Sequence, residues 1–267
     1  MSSGQRFATA AFIILCLWLP WAAMPFIYHL AGWQWKFESL GQWGDSFGVL
    51  SSLFTGLGFA GVIATFWIQR EQILIQKEQA DISERYQHKE RFDSTYFELL
   101  RLLREIRGEV RFHFGEEYFD ASDETDPNES TGHSAMRKAW REAKHYIRNE
   151  PGVRKAEEID KIYYDKVHRR FESGFGPYFR LVYTILRRID EDKILNFSEK
   201  RDYGNLLRSQ LSSYELGLIG LNGLCHVSKN LKYYLEEYRL FTHLPPRSSR
   251  YRVLINYYDP KAFEGRD

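Results

Sequence analysis

The chain has 267 residues, 43% of them hydrophobic, 16% aromatic and 27% charged, and its formal net charge is +1. That length holds a membrane anchor and one soluble domain of ordinary size, and the balanced charge excludes a global field drawing in nucleic acid or acidic partners. Two distant cysteines, Cys16 and Cys225, exclude a disulfide framework and a thiol metal site and fit a reducing cytosol.

Phe7 to Ala31 carries no Asp, Glu, Lys or Arg. A signal peptide is the alternative, but the apolar part is long for one, two prolines lie within it and a second apolar segment follows at once. The segment reads as a first transmembrane span over about 7–31, kinked near Pro20 and Pro25. Trp33, Trp35 and Trp43 read as an interfacial belt around a short loop.

The second span is predicted over about 47–69. From Phe47 to Ile68 there is no ionisable side chain, and Gly44, Gly48, Ser52, Gly56, Ala60 and Ala64 recur every fourth residue. In water such a glycine content weakens a helix. In a bilayer, small residues on one ridge let another helix come close. Arg6 precedes the two spans, and Arg70, Lys77, Arg85, Lys89 and Arg91 follow them. The positive-inside rule then puts both termini in the cytoplasm around a two-helix hairpin, with the lipid bilayer as a partner.

Residues 70–91 read as a charged stalk helix continuous with the second span. Ile68, Ile75 and Ile82 are seven apart, but Glu71, Glu78 and Arg85 hold the companion positions, a poor seam for a coiled coil. Both a solvated stalk lying along its own domain and an oligomerising one are open. From Phe92 the periodicity of Tyr96, Leu99, Leu103, Ile106 and Val110 opens an α-helical cytoplasmic domain over 92–267.

Within that domain, residues 115–133 hold seven acidic residues and no Lys or Arg, and read as a mobile acidic loop. Helices are predicted from Ala135 to Asn149, Val153 to Glu172 and Tyr178 to Asp190, with Gly174, Gly176 and Pro177 breaking the chain before the third. One helix is then predicted from Ser198 through Leu224 and a last one from Asn230 to His243. The tail sequence YRVLINYY admits a short strand, marginal on its own. The fold class is all-α.

No Walker loop, dinucleotide fingerprint, zincin motif or nucleophile elbow is present, so no cofactor is implied and no enzyme class is indicated. His168 and Glu172 lie one turn apart, a spacing that serves a metal pair or an ordinary surface contact. Arg107 and His113 carry the R-x5-H spacing of HEPN-type ribonucleases, the only catalytic candidates, though Gly108 stands where those enzymes place a polar residue.

The clearer signal is polar residues on a predicted core face. Arg208, Glu215 and Asn222 are seven apart and interleave with Leu211 and Leu218; Arg180, Tyr183 and Arg187 share a face of the preceding helix. A buried Glu215 requires a partner, for which an arginine of that neighbouring helix is expected. The set reads either as a structural ion-pair network or as the lining of a ligand site.

WGDSFGVLSSLFTGLGFAGVIATFWIQREQI followed by FDSTYFELLRLLREI, then YFRLVYTILRRID, YGNLLRSQLSSYELGLIGLNGL and EEYRLFTHL, resemble the phage abortive infection proteins of the AbiC-like family. In this family a spanning helix runs into a charged helix, followed by Tyr178-Phe179-Arg180 with Tyr183, and by Arg208 to Glu215 with Asn222. Gly217 and Gly220 stand where the family carries bulkier residues, leaving the packing of that helix open. The resemblance implies a bacterial inner-membrane protein of antiphage defence. A homo-oligomeric, non-enzymatic effector or sensor, a tethered ribonuclease, and a structural subunit serving another defence protein or meeting a phage component are the functions it leaves open.

Overall fold

The structure is a computed structural model, and it describes residues 23–32, 37–126, 128–149 and 155–265 together with Phe12, Cys16, Leu19 and Pro20. It is all-helical apart from one two-residue strand pair. Compactness divides the chain into two units, residues 1–81 and 82–267.

In the first unit, α1 (Met24–Leu30) opens with a proline in its first turn. The predicted first span over 7–31, with Trp33 and Trp35, otherwise lies outside the described residues. Helix α2 runs from Phe37 to Glu109. It begins ten residues ahead of the predicted second span, so part of the expected loop is helical. Its stretch from Ser51 is the one helix among the described residues long and apolar enough to cross a membrane. The apolar side chains there are exposed, Leu53, Phe54, Phe59, Val62 and Phe66 among them. Thr55 and Thr65 satisfy their hydroxyls on the carbonyls of Ser51 and Gly61 one turn back.

The second unit takes in the last turns of α2, from Ile82. Phe92, Tyr96, Leu100 and Leu103 are buried, with Leu99 and Ile106 partly so, as the 3/4 spacing requires. The Tyr96 hydroxyl donates to the Tyr203 carbonyl at 2.6 Å, and the Tyr203 hydroxyl to Asp93 at 2.5 Å. Residues 85–89 lie along their own unit: Lys89 and Arg85 pair with Glu199, and His88 with Asp192 at 2.8 Å.

Strands β1 (Arg111–Phe112) and β2 (Ser130–Thr131) pair antiparallel, Arg111 opposite Thr131 and Phe112 opposite Ser130. They close off the acidic segment, which carries a helical turn, α3 (Glu116–Asp120), with Tyr118 buried. The expected mobile loop is thus tied at both ends and partly helical. Lys138 reaches into it to bond Asp126 and the Asn128 carbonyl, and Arg141 bonds Glu124.

Helix α4 (Gly132–Asn149) is the helix predicted from Ala135, begun three residues earlier. Helix α5 (Ala156–Tyr163) passes into a π-turn (Tyr164–His168) and a 3-10 turn (Arg169–Phe171), where an uninterrupted α-helix was predicted. Helix α6 (Glu172–Glu191) continues through Gly174, Gly176 and Pro177, so the break falls before the glycines rather than at them.

The single predicted helix over Ser198–Leu224 is two helices, α7 (Phe197–Ser209) and α8 (Ser213–Leu224). The break has a local cause. Ser212 caps α8, its hydroxyl accepting from the Glu215 N–H, while Glu215 accepts from the Ser212 N–H at 2.8 Å. This S-x-x-E box satisfies orphan donors that a continuous helix would not have. Helix α9 (Lys229–Glu237) is shorter than predicted, giving way to turns, and α10 (Ser249–Leu254) is helical where the tail admitted a strand.

Every residue of α8 from Glu215 to Gly223 is buried, and α4, α5, α9 and α10 pack around it. A helix enclosed this way needs small faces where its neighbours are large. A Cβ on Gly217 would stand 2.7 Å from the Trp140 ring, and one on Gly220 2.6 Å from a Leu254 methyl. Gly217 and Gly220 are therefore the seats of Trp140 and Leu254.

Candidate functional site

The predicted polar set falls into two clusters and two outliers. The first cluster centres on Glu215, whose side chain is fully buried at the start of α8. Its Oε1 lies 2.7 Å from the Arg107 Nε and accepts from the Tyr178 hydroxyl at 2.5 Å. Its Oε2 takes the Ser212 N–H and lies 3.6 Å from His133 Nδ1. Arg107 also donates to the Gln210 carbonyl at 2.7 Å, tying the end of α2 to the α7–α8 turn. Burial, then the adjacent carboxylate, pushes the Tyr178 hydroxyl well above its ordinary pKa, so it remains a donor.

The arginine that pairs with Glu215 is therefore Arg107 of α2, not one from α6. Arg180, 68% exposed, pairs with Glu172 at 3.1 Å, and Arg187, also exposed, lies over the Tyr183 ring. Arg208 sits on α7 and not on the α8 stripe, donating to the Arg239 carbonyl and to Thr242 Oγ1, both at 3.1 Å. Arg107 and His113 engage different partners: His113 is exposed at the end of β1, its ring against Phe171 and its carbonyl accepting from Arg170. Arg170 in turn pairs with Glu142, fully buried on α4, whose second oxygen takes the Gly115 N–H at 3.1 Å. Burial raises the Glu142 pKa against the opposing pull of Gly115 and Arg170.

The second cluster lines a cavity of about 900 Å³. Helix α6 contributes Phe179, Arg180 and Tyr183, the π-turn contributes Tyr164 and His168, and α8 contributes Asn222 at its C-terminal end. The π-turn matters here, because a fifth residue in one turn swings the following side chains off the regular helical face. His168 is 6% and Asn222 1% exposed. The imidazole is stacked with both Tyr164 and Phe179, at centroid distances of 5.7 and 6.1 Å. Asn222 Nδ2 donates to Ser228 Oγ at 3.0 Å, but Asn222 Oδ1 and His168 Nδ1 are buried with no hydrogen-bond partner among the described residues. Burial lowers the His168 pKa; Arg180 and His226 add to this and Glu172 opposes it, so the ring is neutral near pH 7.

Of the predicted residues, then, Arg180, Tyr183 and Asn222 share the cavity, Glu215 has its own node, and Arg187 and Arg208 stand apart. His168 and Glu172 both line the cavity, but Glu172 is held by Arg180, and among the described residues no group of three or more His, Cys, Asp or Glu could hold a metal. Sequence reasoning missed His226, which bonds Asp160 through ring and backbone N–H at 3.0 to 3.2 Å; residues so far apart leave no spacing signal. The small-residue ridge belongs to α2. A Cβ added at Gly44, Gly48 or Gly56 meets nothing within 4 Å, and the same holds at Gly58 and Gly61 off the ridge.

These features define an all-α protein with, among the described residues, one helix long and apolar enough to cross a membrane, and with a helical unit built on a buried helix. Residues 170–249 match the model of a family described as "Putative phage abortive infection protein". The match runs from before α6 into the start of α10, and bears out the AbiC-like resemblance over the part of the chain holding Tyr178, Arg180, Glu215 and Asn222. Abortive infection, and so antiphage defence, is the class of function it supports. No curated protein and no solved structure matches the chain significantly.

Proposed function

We propose that this chain is an antiphage protein of the bacterial inner membrane that acts without catalysis. A two-helix hairpin anchors it with both termini in the cytoplasm, and the helical unit senses a cytoplasmic cue in a homo-oligomer. The observation that carries this reading is the course of α2. Its apolar reach is suited to a bilayer, and its last turn brings Arg107 into the buried ion pair with Glu215 of the central helix. A change in packing around α8 thus acts on a residue of the same helix that carries the apolar stretch, and that contiguity supports coupling between the two. The tethered-ribonuclease reading gains nothing from the geometry, since Arg107 is held by Glu215 and Gln210 while His113 faces elsewhere.

Infected cells carrying the protein test this. Loss of membrane potential with RNA intact, and full protection retained by His113→Ala, is the expected result. Degradation of RNA that stops in His113→Ala, at unchanged protein level, refutes it in favour of the enzyme.

A further inference from the structure

The second half of α4 gathers cations on one face. Arg141, Lys144, His145 and Arg148 stand at i, i+3, i+4 and i+7, and they line one pocket of about 300 Å³ with Asn149, Glu124 and Tyr118 of α3. Like charges three and four residues apart on a helix repel, so such a face calls for an anion. A helix C-terminus favours cations only over its last turn, which here holds Arg148 alone. Cations nearby are paired: Lys138 with Asp126, Lys166 with Glu117 and Arg170 with Glu142. In the pocket only Arg141 has a carboxylate, Glu124, whose two oxygens lie 2.9 and 3.1 Å from its Nη1. Lys144 and Arg148 have no ion pair or hydrogen bond among the described residues, although Lys144 is half-buried. The His145 ring has the Asn149 amide at 3.1 Å and Tyr118 edge-on at 5.0 Å.

We propose that this pocket binds the phosphate chain of a di- or triphosphate, held by Arg141, Lys144 and Arg148, with Glu124 the anion that the ligand displaces. Guanidinium and ammonium groups are the usual partners of phosphate oxygens. Glu124 at Arg141 shows that the pocket accepts an oxyanion. One carboxylate leaves two of the three permanent cations unmatched, and further phosphoryl groups carry that missing charge. A base would find little to stack on, since Tyr118 is 6% exposed, and 300 Å³ is at the small end of ligand sites. The pocket therefore reads the phosphates and not the molecule that carries them. Helix α4 lies ahead of the matched residues 170–249, so the site goes beyond the family reading. Binding is measured without phage, so its failure leaves the membrane reading standing, and failure of that reading leaves the site standing.

The test is isothermal titration calorimetry of the purified full chain in detergent, at low salt and with EDTA, against tripolyphosphate, ATP and GTP. Tripolyphosphate is expected to bind with a dissociation constant below about 1 mM, and ATP and GTP within about threefold of it. Lys144→Gln combined with Arg148→Gln is expected to weaken binding at least about tenfold, the loss of two charge-assisted contacts. Lys193→Gln combined with Arg252→Gln removes the same charge from exposed positions outside the pocket and is expected to leave binding within about twofold. Glu124→Gln is expected to tighten it, because the competing carboxylate is gone. The pocket variant is expected to melt no lower than wild type, since in the free protein Lys144 and Arg148 repel each other. No binding of tripolyphosphate at about 1 mM, unchanged binding in the pocket variant, or an equal loss in the control variant overturns the proposal. So does weaker binding in Glu124→Gln, a pocket variant that melts clearly lower, or a preference of about tenfold or more for a nucleotide over tripolyphosphate.

Discussion

Replacing Glu215 by Ala probes the node that joins α2 to the central helix. The wild-type carboxylate is fully buried and its arginine partner only 11% exposed, so solvent screens little of their interaction. Truncation leaves the Arg107 guanidinium with the Gln210 carbonyl and strips the buried Tyr178 hydroxyl and the Ser212 N–H of their acceptors. Breaking a buried pair from one side costs about 3–5 kcal/mol. For a unit of this size each kcal/mol moves the midpoint by about 2–4 °C, so a fall of roughly 6–20 °C is expected. Glu215→Gln is expected to be milder, because the amide keeps an acceptor for Tyr178. Tyr178→Phe alone removes one bond to a charged group, worth about 1.5–3 kcal/mol. The combined variant Arg107→Met, Tyr178→Phe, Glu215→Leu replaces the whole node with apolar side chains and is expected to recover most of the loss. Thermal denaturation of the full chain in detergent, followed by far-UV circular dichroism, measures all of these. A midpoint for Glu215→Ala within about 2 °C of wild type would refute the node as a buried, paired structure, and so would a triple variant no better than Glu215→Ala.

Gly217→Ala would gain about 1 kcal/mol of helix propensity. Overpacking against Trp140 costs about 1–3 kcal/mol, so the variant is expected to be less stable on chemical denaturation, and a stabilised one would show that the ring yields. The His168 pKa is depressed by burial, with Arg180 and His226 adding and Glu172 opposing. Its contribution to stability is therefore complete above the unfolded value of 6.5 and is lost as pH falls below it, because the unfolded chain takes up the proton first. Denaturation midpoints measured across that window are expected to fall less steeply in His168→Phe than in wild type; equal slopes would contradict the shift. Gly56→Leu and Ala60→Leu are expected to disperse the oligomer in detergent and abolish protection while the protein still inserts; retained size and protection would reduce the ridge to packing within the hairpin. Reporter fusions after Glu71 and at Asp267 are expected to report cytoplasm and one at Lys36 the outside, and a cytoplasmic signal at Lys36 would end the hairpin.

Some of this protein is written in local sequence. The uncharged run from Phe47 to Ile68 can only be a helix fit for lipid or a buried one, since nothing in it satisfies backbone groups except its own turns. The periodicity from Phe92 to Val110 names the buried face of α2, and the polar positions Glu215 and Asn222 on an apolar helix mark α8 as carrying unusual chemistry. The break before α8 was legible too, as the S-x-x-E box at Ser212, but reading Glu215 only as a core-face residue hid its second role as a cap. Other features belong to the tertiary structure alone. Periodicity tells which face of a helix is buried and is silent about which distant helix covers it. That Arg107 and not Arg180 meets Glu215, that His226 meets Asp160, and that Gly217 seats Trp140 follow from how the helices cross. The π-turn at Tyr164–His168 is of the same kind: its sequence suits an ordinary helix, and only the fold sets His168 against Phe179 and leaves one of its nitrogens without a partner among the described residues.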